Sequence, residues 1–77
     1  MDNEARVHLD IEGMGCGHCS HFISELLARK EGVHEQVVDH THGTAEVRFD
    51  NSSLKVDDLI ETINSTGTYR VRGYKFN

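Results

Sequence analysis

Arg6-Val7-His8-Leu9-Asp10-Ile11-Glu12 alternates polar and apolar residues, which sets Val7, Leu9 and Ile11 on one face of a half-buried strand. Gly13 breaks the alternation. From about His18 to Lys30 the period changes, and Phe22, Ile23, Leu26 and Leu27 share one helical face with Cys19 above them. Glu31-Gly32 ends this helix, with Gly32 as the residue just past its C-terminus. Val33 to His40 reads as a less regular strand, and His42-Gly43 as a hairpin turn. Ala45, Val47 and Phe49 alternate again. Asp50-Asn51-Ser52-Ser53 is a turn that also offers an N-cap. Val56, Leu59, Ile60 and Ile63 then mark a second amphipathic helix, with Asp57 and Asp58 in its favourable first turns. Gly67 ends it, and Tyr69 to Phe76 is a last strand.

The order strand, helix, strand, strand, helix, strand has a known packing solution. It is the ferredoxin-like α+β sandwich, a four-stranded antiparallel sheet with both helices on one face. Outward polar positions at Arg6, His8, Asp10, Glu46 and Arg48 fit a sheet covered on one side only. In the usual strand order the first and third strands lie in the middle, and these are the two best-alternating strands. The expected core is Val7, Leu9, Ile11, Phe22, Leu26, Val47, Phe49, Leu59 and Ile63. It should hold the chain folded without any metal.

A chain of 77 residues is one small domain. Surface scaling gives roughly 4,700 Å² exposed when folded, enough burial for one two-layer core. No apolar run approaches the ~18 residues of a membrane span, so no direct membrane insertion is expected. Met1-Asp2-Asn3-Glu4 is acidic and shows no signal-peptide pattern, which points to a cytoplasmic location. Thirteen acidic against eight basic residues give a net charge of -5, which argues against nucleic acid.

Chemistry concentrates in Met14-Gly15-Cys16-Gly17-His18-Cys19, between the first strand and the first helix. The chain's two cysteines are both here. A bridge across two intervening residues staples no distant framework, so the pair is local chemistry, metal or redox. Cys19 in a first helical turn gains from the positive helix end, which favours thiolate. Two thiolates without a third or fourth suit two-coordinate Cu(I), whereas structural zinc takes four ligands. Met14 is expected inward as an apolar anchor.

Gly13-Met14-Gly15-Cys16-Gly17-His18-Cys19, then Gly32-Val33, Ala45-x-Val47-x-Phe49-Asp50 and Leu59-Ile60-x-x-Ile63, resembles the heavy-metal-associated domains. That family includes copper chaperones, periplasmic mercury-binding proteins and amino-terminal domains of metal-pumping P-type ATPases. The likeness runs from about residue 6 to 72, with residues 1–77 as a single domain. It implies the ferredoxin-like fold, a metal site at Cys16 and Cys19, and handover by ligand exchange to a similar domain, such as that of a metal-transporting P-type ATPase. Cu(I) is the first metal it implies, with Zn, Cd or Hg as alternatives. The expected protein is not an enzyme; it is a monomer without metal and able to form a metal-bridged dimer.

The chain departs from the family pattern at four places. Gly15 stands where Thr is usual, Gln36 and His40 where apolar residues are usual, and Thr68 comes between Gly67 and Tyr69. Gln36 points to a ragged edge strand. Tyr69, or Thr68 if no residue is inserted, is the expected cap over the site, with Arg70 a minor source of positive charge.

A dithiol oxidoreductase is the rival reading, because Cys-Gly-His-Cys also occurs in disulfide isomerases and a His between the sulfurs can poise them for exchange. Against it, the chain has no Pro and no Trp and carries Gly15 before the first Cys. A ligand-free interaction domain is a third reading. His18, His21 and Glu25 fall on one exposed helical face, and His40 and His42 flank the hairpin. Both groups read as solvated surface, with His18 a candidate modulator of the dithiol. Asp57, Asp58 and Glu61 read as a solvated helix face.

Overall fold

The computed structural model describes residues 3–14 and 17–76. It contains β1 (Glu4–Glu12), α1 (Gly17–Ala28), β2 (Val33–Asp39), β3 (Thr44–Asp50), α2 (Val56–Asn64) and β4 (Arg70–Phe76). The four strands form one antiparallel sheet in the order β2-β3-β1-β4. The two cleanest alternating segments are its central strands, as the pattern demands. This is the ferredoxin-like sandwich.

Alternation decides which face is buried. Val7, Leu9 and Ile11 of β1 and Ala45, Val47 and Phe49 of β3 are buried under the helices, while Arg6, Glu46 and their neighbours face water. Direct cross-strand pairing of Val7 with Val47 and Leu9 with Ala45 stacks these side chains into one layer. Ile23, Leu27, Leu54, Leu59, Ile63, Met14 and Tyr69 complete the core, and among the described residues no polar side chain is buried in it. The folded surface is 4900 Å², close to the scaling value for a packed chain of this length.

Several expectations shift. Phe22 is 47% exposed and Leu26 only half-buried; the sheet-facing pair of α1 is Ile23 and Leu27, one turn apart. The helix ends at Ala28, so Gly32 is no immediate cap. It sits at φ +102 in the following loop, where its carbonyl accepts from Asp50 N–H at 2.8 Å. An added Cβ there would press on Leu54 at 3.3 Å. The turn after β3 supplies no N-cap to α2. Asp50 Oδ1 instead accepts from the Ser52 backbone (3.0 Å) and hydroxyl (2.7 Å), and Lys55 is the cap position. The Asp58 carboxylate accepts the Lys55 N–H at 3.1 Å, closing the first turn of α2 from within. α2 ends at Asn64, and Gly67 lies three residues on at φ +77. β2 is an edge strand with a register shift between Val33 and Glu35, the irregularity Gln36 pointed to. His40 falls beyond its end, in the exposed turn to β3.

Candidate metal site

Three connections meet at one end of the sheet. The segment after β1 leads into α1, the β2–β3 turn closes beside it through Ile11 N–H to Gly43 O at 2.8 Å, and the α2–β4 loop lies on its other flank. Gly13 is the contact point with that loop. Its φ is +94, and a Cβ built on it would lie 2.8 Å from Thr68 O and 3.8 Å from the Tyr69 ring. Only glycine lets the chain turn here with the loop so close. Met14 follows, buried to 5% exposure, and serves as the inward anchor its position suggested.

Cys19 is the third residue of α1 and is half-buried, packed against the core. The first turn of α1 carries no acidic residue, so no carboxylate of its own offsets the positive helix end around Cys19. Cys19 is disulfide-bonded in this structure. Thiolates are the metal-binding form, so loading starts from the reduced pair. Cys16 and Gly15 lie outside the described residues.

One hydroxyl gathers three hydrogen bonds in the α2–β4 loop. Thr66 Oγ1 donates to Ile63 O at 2.8 Å and accepts from the N–H groups of Thr68 (3.2 Å) and Tyr69 (3.1 Å). This turns Tyr69 inward: it is 9% exposed, part of the core, with its ring 6.0 Å from that of Phe22. Thr68 stays exposed at the surface. Tyr69 is therefore a packed support that joins α1 to the segment entering it. The Thr66 clamp is a positioning feature that sequence reasoning missed; a Ser/Thr followed by turn residues was its only signal. A shallow cleft beside Gly13 is lined by Glu12, Thr68, Tyr69 and Arg70.

The histidines stay at the surface. His18 is exposed, His21 pairs weakly with Glu25 at 3.8 Å, and His42 Nδ1 meets Asp39 Oδ2 at 2.6 Å in the β2–β3 turn. Among the described residues no three His, Cys, Asp or Glu side chains converge as a metal cluster. Asp57, Asp58 and Glu61 lie on the exposed side of α2.

Known proteins resemble this arrangement. The model of the heavy-metal-associated domain matches residues 8–68. The copper chaperone CopZ of Staphylococcus aureus is 32% identical over 59 residues, covering 77% of this chain and 87% of that protein. A solved CopZ metallochaperone superposes with a TM-score of 0.80 at 32% identity, covering 86% of this chain and 97% of that one. A copper binding domain from HMA7, a P-type ATPase, superposes with a TM-score of 0.82 at 25% identity, covering 95% and 93%.

Proposed function

Because the chain belongs to the heavy-metal-associated domain family, we propose that it binds a soft metal ion, Cu(I) first, and passes it on through the thiolates of Cys16 and Cys19. Residues 1–77 act as one such domain. The carrying observation is the placement of Cys19, half-buried in a first helical turn that holds no carboxylate. There the helix end favours the thiolate and offsets the negative charge of a bis-thiolate Cu(I) unit. The copper-binding descriptions of the relatives support Cu(I) over Zn, Cd or Hg.

Handover follows from low coordination. A two-coordinate ion leaves room for an incoming thiolate from an acceptor, so a three-coordinate intermediate forms before one donor sulfur leaves. The proton inventory is balanced by the acceptor thiol, which loses the proton that the released donor gains. Likeness to a P-type ATPase domain supports a transporter of that class, or a similar domain, as acceptor. The chain carries the ion and transforms no substrate. Among the described residues no helix is long and apolar enough to cross a membrane.

Anaerobic titration of the reduced chain with Cu(I), Zn²⁺ and Hg²⁺ against a competing chelator tests this. One Cu(I) per chain should bind, and the Cys16→Ser, Cys19→Ser double variant should lose it. Stoichiometric tight binding retained by that variant overturns the assignment. Insulin reduction no faster than by a free dithiol is the expected result in the redox assay; turnover near that of a thioredoxin transfers the proposal to the oxidoreductase reading.

A further inference from the structure

β4 is an edge strand, and its composition is unlike the rest of the chain. Its seven residues, RVRGYKF, hold three of the eight basic residues and none of the thirteen acidic ones. At its start the outer edge is closed, because Asn64 Oδ1 accepts the Val71 N–H at 2.9 Å. Beyond that point, among the described residues, no hydrogen bond outside the ladder to β1 reaches the backbone of Gly73 to Phe76. Such an edge is a template for another strand.

Two aromatic side chains mark the same stretch. Tyr74 pairs with Leu9 and Phe76 with Val7 across the β1–β4 ladder, so all four belong to the helix-facing side of the sheet. The helices cover Val7 and Leu9 completely but leave Tyr74 50% and Phe76 51% exposed. The two rings lie 5.8 Å apart, edge to face. Charge on an edge strand ordinarily protects it from pairing. Half-exposed aromatics beside an open backbone edge work against such protection and provide anchors. Arg72 is engaged with Asp10 at 3.1 Å, whereas Arg70 and Lys75 are exposed and, among the described residues, in no ion pair.

We propose that the outer edge of β4 receives an extended acidic segment of a partner protein, which adds as a fifth strand. Backbone pairing along Gly73 to Phe76 supplies affinity, Tyr74 and Phe76 take its apolar residues, and Arg70 and Lys75 select its carboxylates. Charge complementarity argues for this occupant, since the strand carries Arg70, Arg72 and Lys75 with no carboxylate of its own, and Arg70 and Lys75 stand exposed to receive acidic side chains. The surface runs from Arg70, opposite Glu12 and beside Gly13, to Phe76, opposite Val7 at the far end.

The test is an amide NMR titration of the full reduced chain with a blocked peptide of about nine residues that alternates Asp or Glu with Val. Saturable shifts should centre on β4, with slowed exchange of the Gly73 to Phe76 amides. Lys75→Glu and, separately, Phe76→Ser should each weaken binding about tenfold while the spectrum stays dispersed. A matching peptide with Lys in place of the acids should not bind. No saturable shift, shifts centred elsewhere, or equal binding of the Lys peptide overturns the proposal. So does shifting of β4 amides on simple concentration of the protein, which assigns the edge to a second copy. Tighter binding of anionic vesicles than of the peptide, with loss in the same variants, overturns it in favour of a lipid surface.

Discussion

The Phe22 ring lies 6.0 Å from the Tyr69 ring at an angle of 37°, joining the second turn of α1 to the loop before β4. The pair is unequal, since Tyr69 is in the core while Phe22 keeps nearly half its surface in water. Tyr69→Ala should therefore cost about 3 kcal/mol, through lost burial and the cavity left behind. Phe22→Ala should cost about 1 kcal/mol, in line with its smaller buried area. Urea unfolding of both single variants and the double variant measures this. A double-mutant coupling of about 1 kcal/mol is expected for the aromatic contact itself.

Gly13 gives a sharper effect per atom added. At φ +94, with Thr68 O 2.8 Å from a would-be Cβ, alanine must either strain the backbone or push the α2–β4 loop away. Gly13→Ala should destabilise by about 2 kcal/mol. Gly73→Ala is the control, because nothing lies within 4 Å of its Cβ position and its φ is not positive. Its loss in thermal unfolding should be much the smaller.

The Asp39 carboxyl is held below the ordinary aspartate range, chiefly by the His42 side chain and further by the backbone N–H groups of Thr41 and His42, against some desolvation. A depressed folded value means that the turn's contribution is fully present above the unfolded aspartate value and is lost as pH falls through the folded one. The loss thus falls on the acid side, below the ordinary aspartate value. In a carboxyl NMR titration, His42→Ala should move the Asp39 midpoint upward. An unchanged midpoint would show that the backbone donors alone hold it.

The apolar core includes neither the β2–β3 turn nor any described carboxylate or histidine, so it owes nothing to a bound ion. Chelation under reducing conditions should leave the amide spectrum as dispersed as before, with changes confined to the β1–α1 connection and its neighbours. Collapse of the dispersion would make the ion a folding ligand instead of cargo.

What the sequence showed follows from which physics is local. Val7, Leu9 and Ile11 declare their face by a period of two, and the change of period at His18 declares a helix, so element order and sheet class were legible. The rotation of that helix was not. Phe22, Ile23, Leu26 and Leu27 span a broad arc, and only packing on the sheet selects Ile23 and Leu27 as its inward residues. The cap of α2 was misread because Ser52 and Ser53 are both taken by Asp50, a competition that their sequence neighbourhood leaves open. The burial of Tyr69 was not legible either, because the Thr66 hydroxyl that accepts its N–H acts across three residues of loop. Met14 and the edge character of β2 were legible because each depends on a single position, an apolar residue after Gly13 and a polar Gln36.

The proposed dithiolate is asymmetric, and the asymmetry should appear in transfer kinetics. Cys19 is tied into the first turn of α1 and packs on the core, which restricts approach to its sulfur. Cys16 stands between Gly15 and Gly17, two residues without side chains to obstruct an incoming thiolate. An acceptor sulfur should therefore enter beside Cys16, while Cys19 with the helix end behind it is the last donor to let go. At matched Cu(I) loading, Cys16→Ser should slow transfer to an acceptor domain more than Cys19→Ser does. In the reduced, metal-free chain, Cys16 should also be alkylated faster than Cys19, read by mass spectrometry of the labelled peptides. Equal transfer rates for the two variants, or faster labelling of Cys19, would reverse the order of ligand exchange.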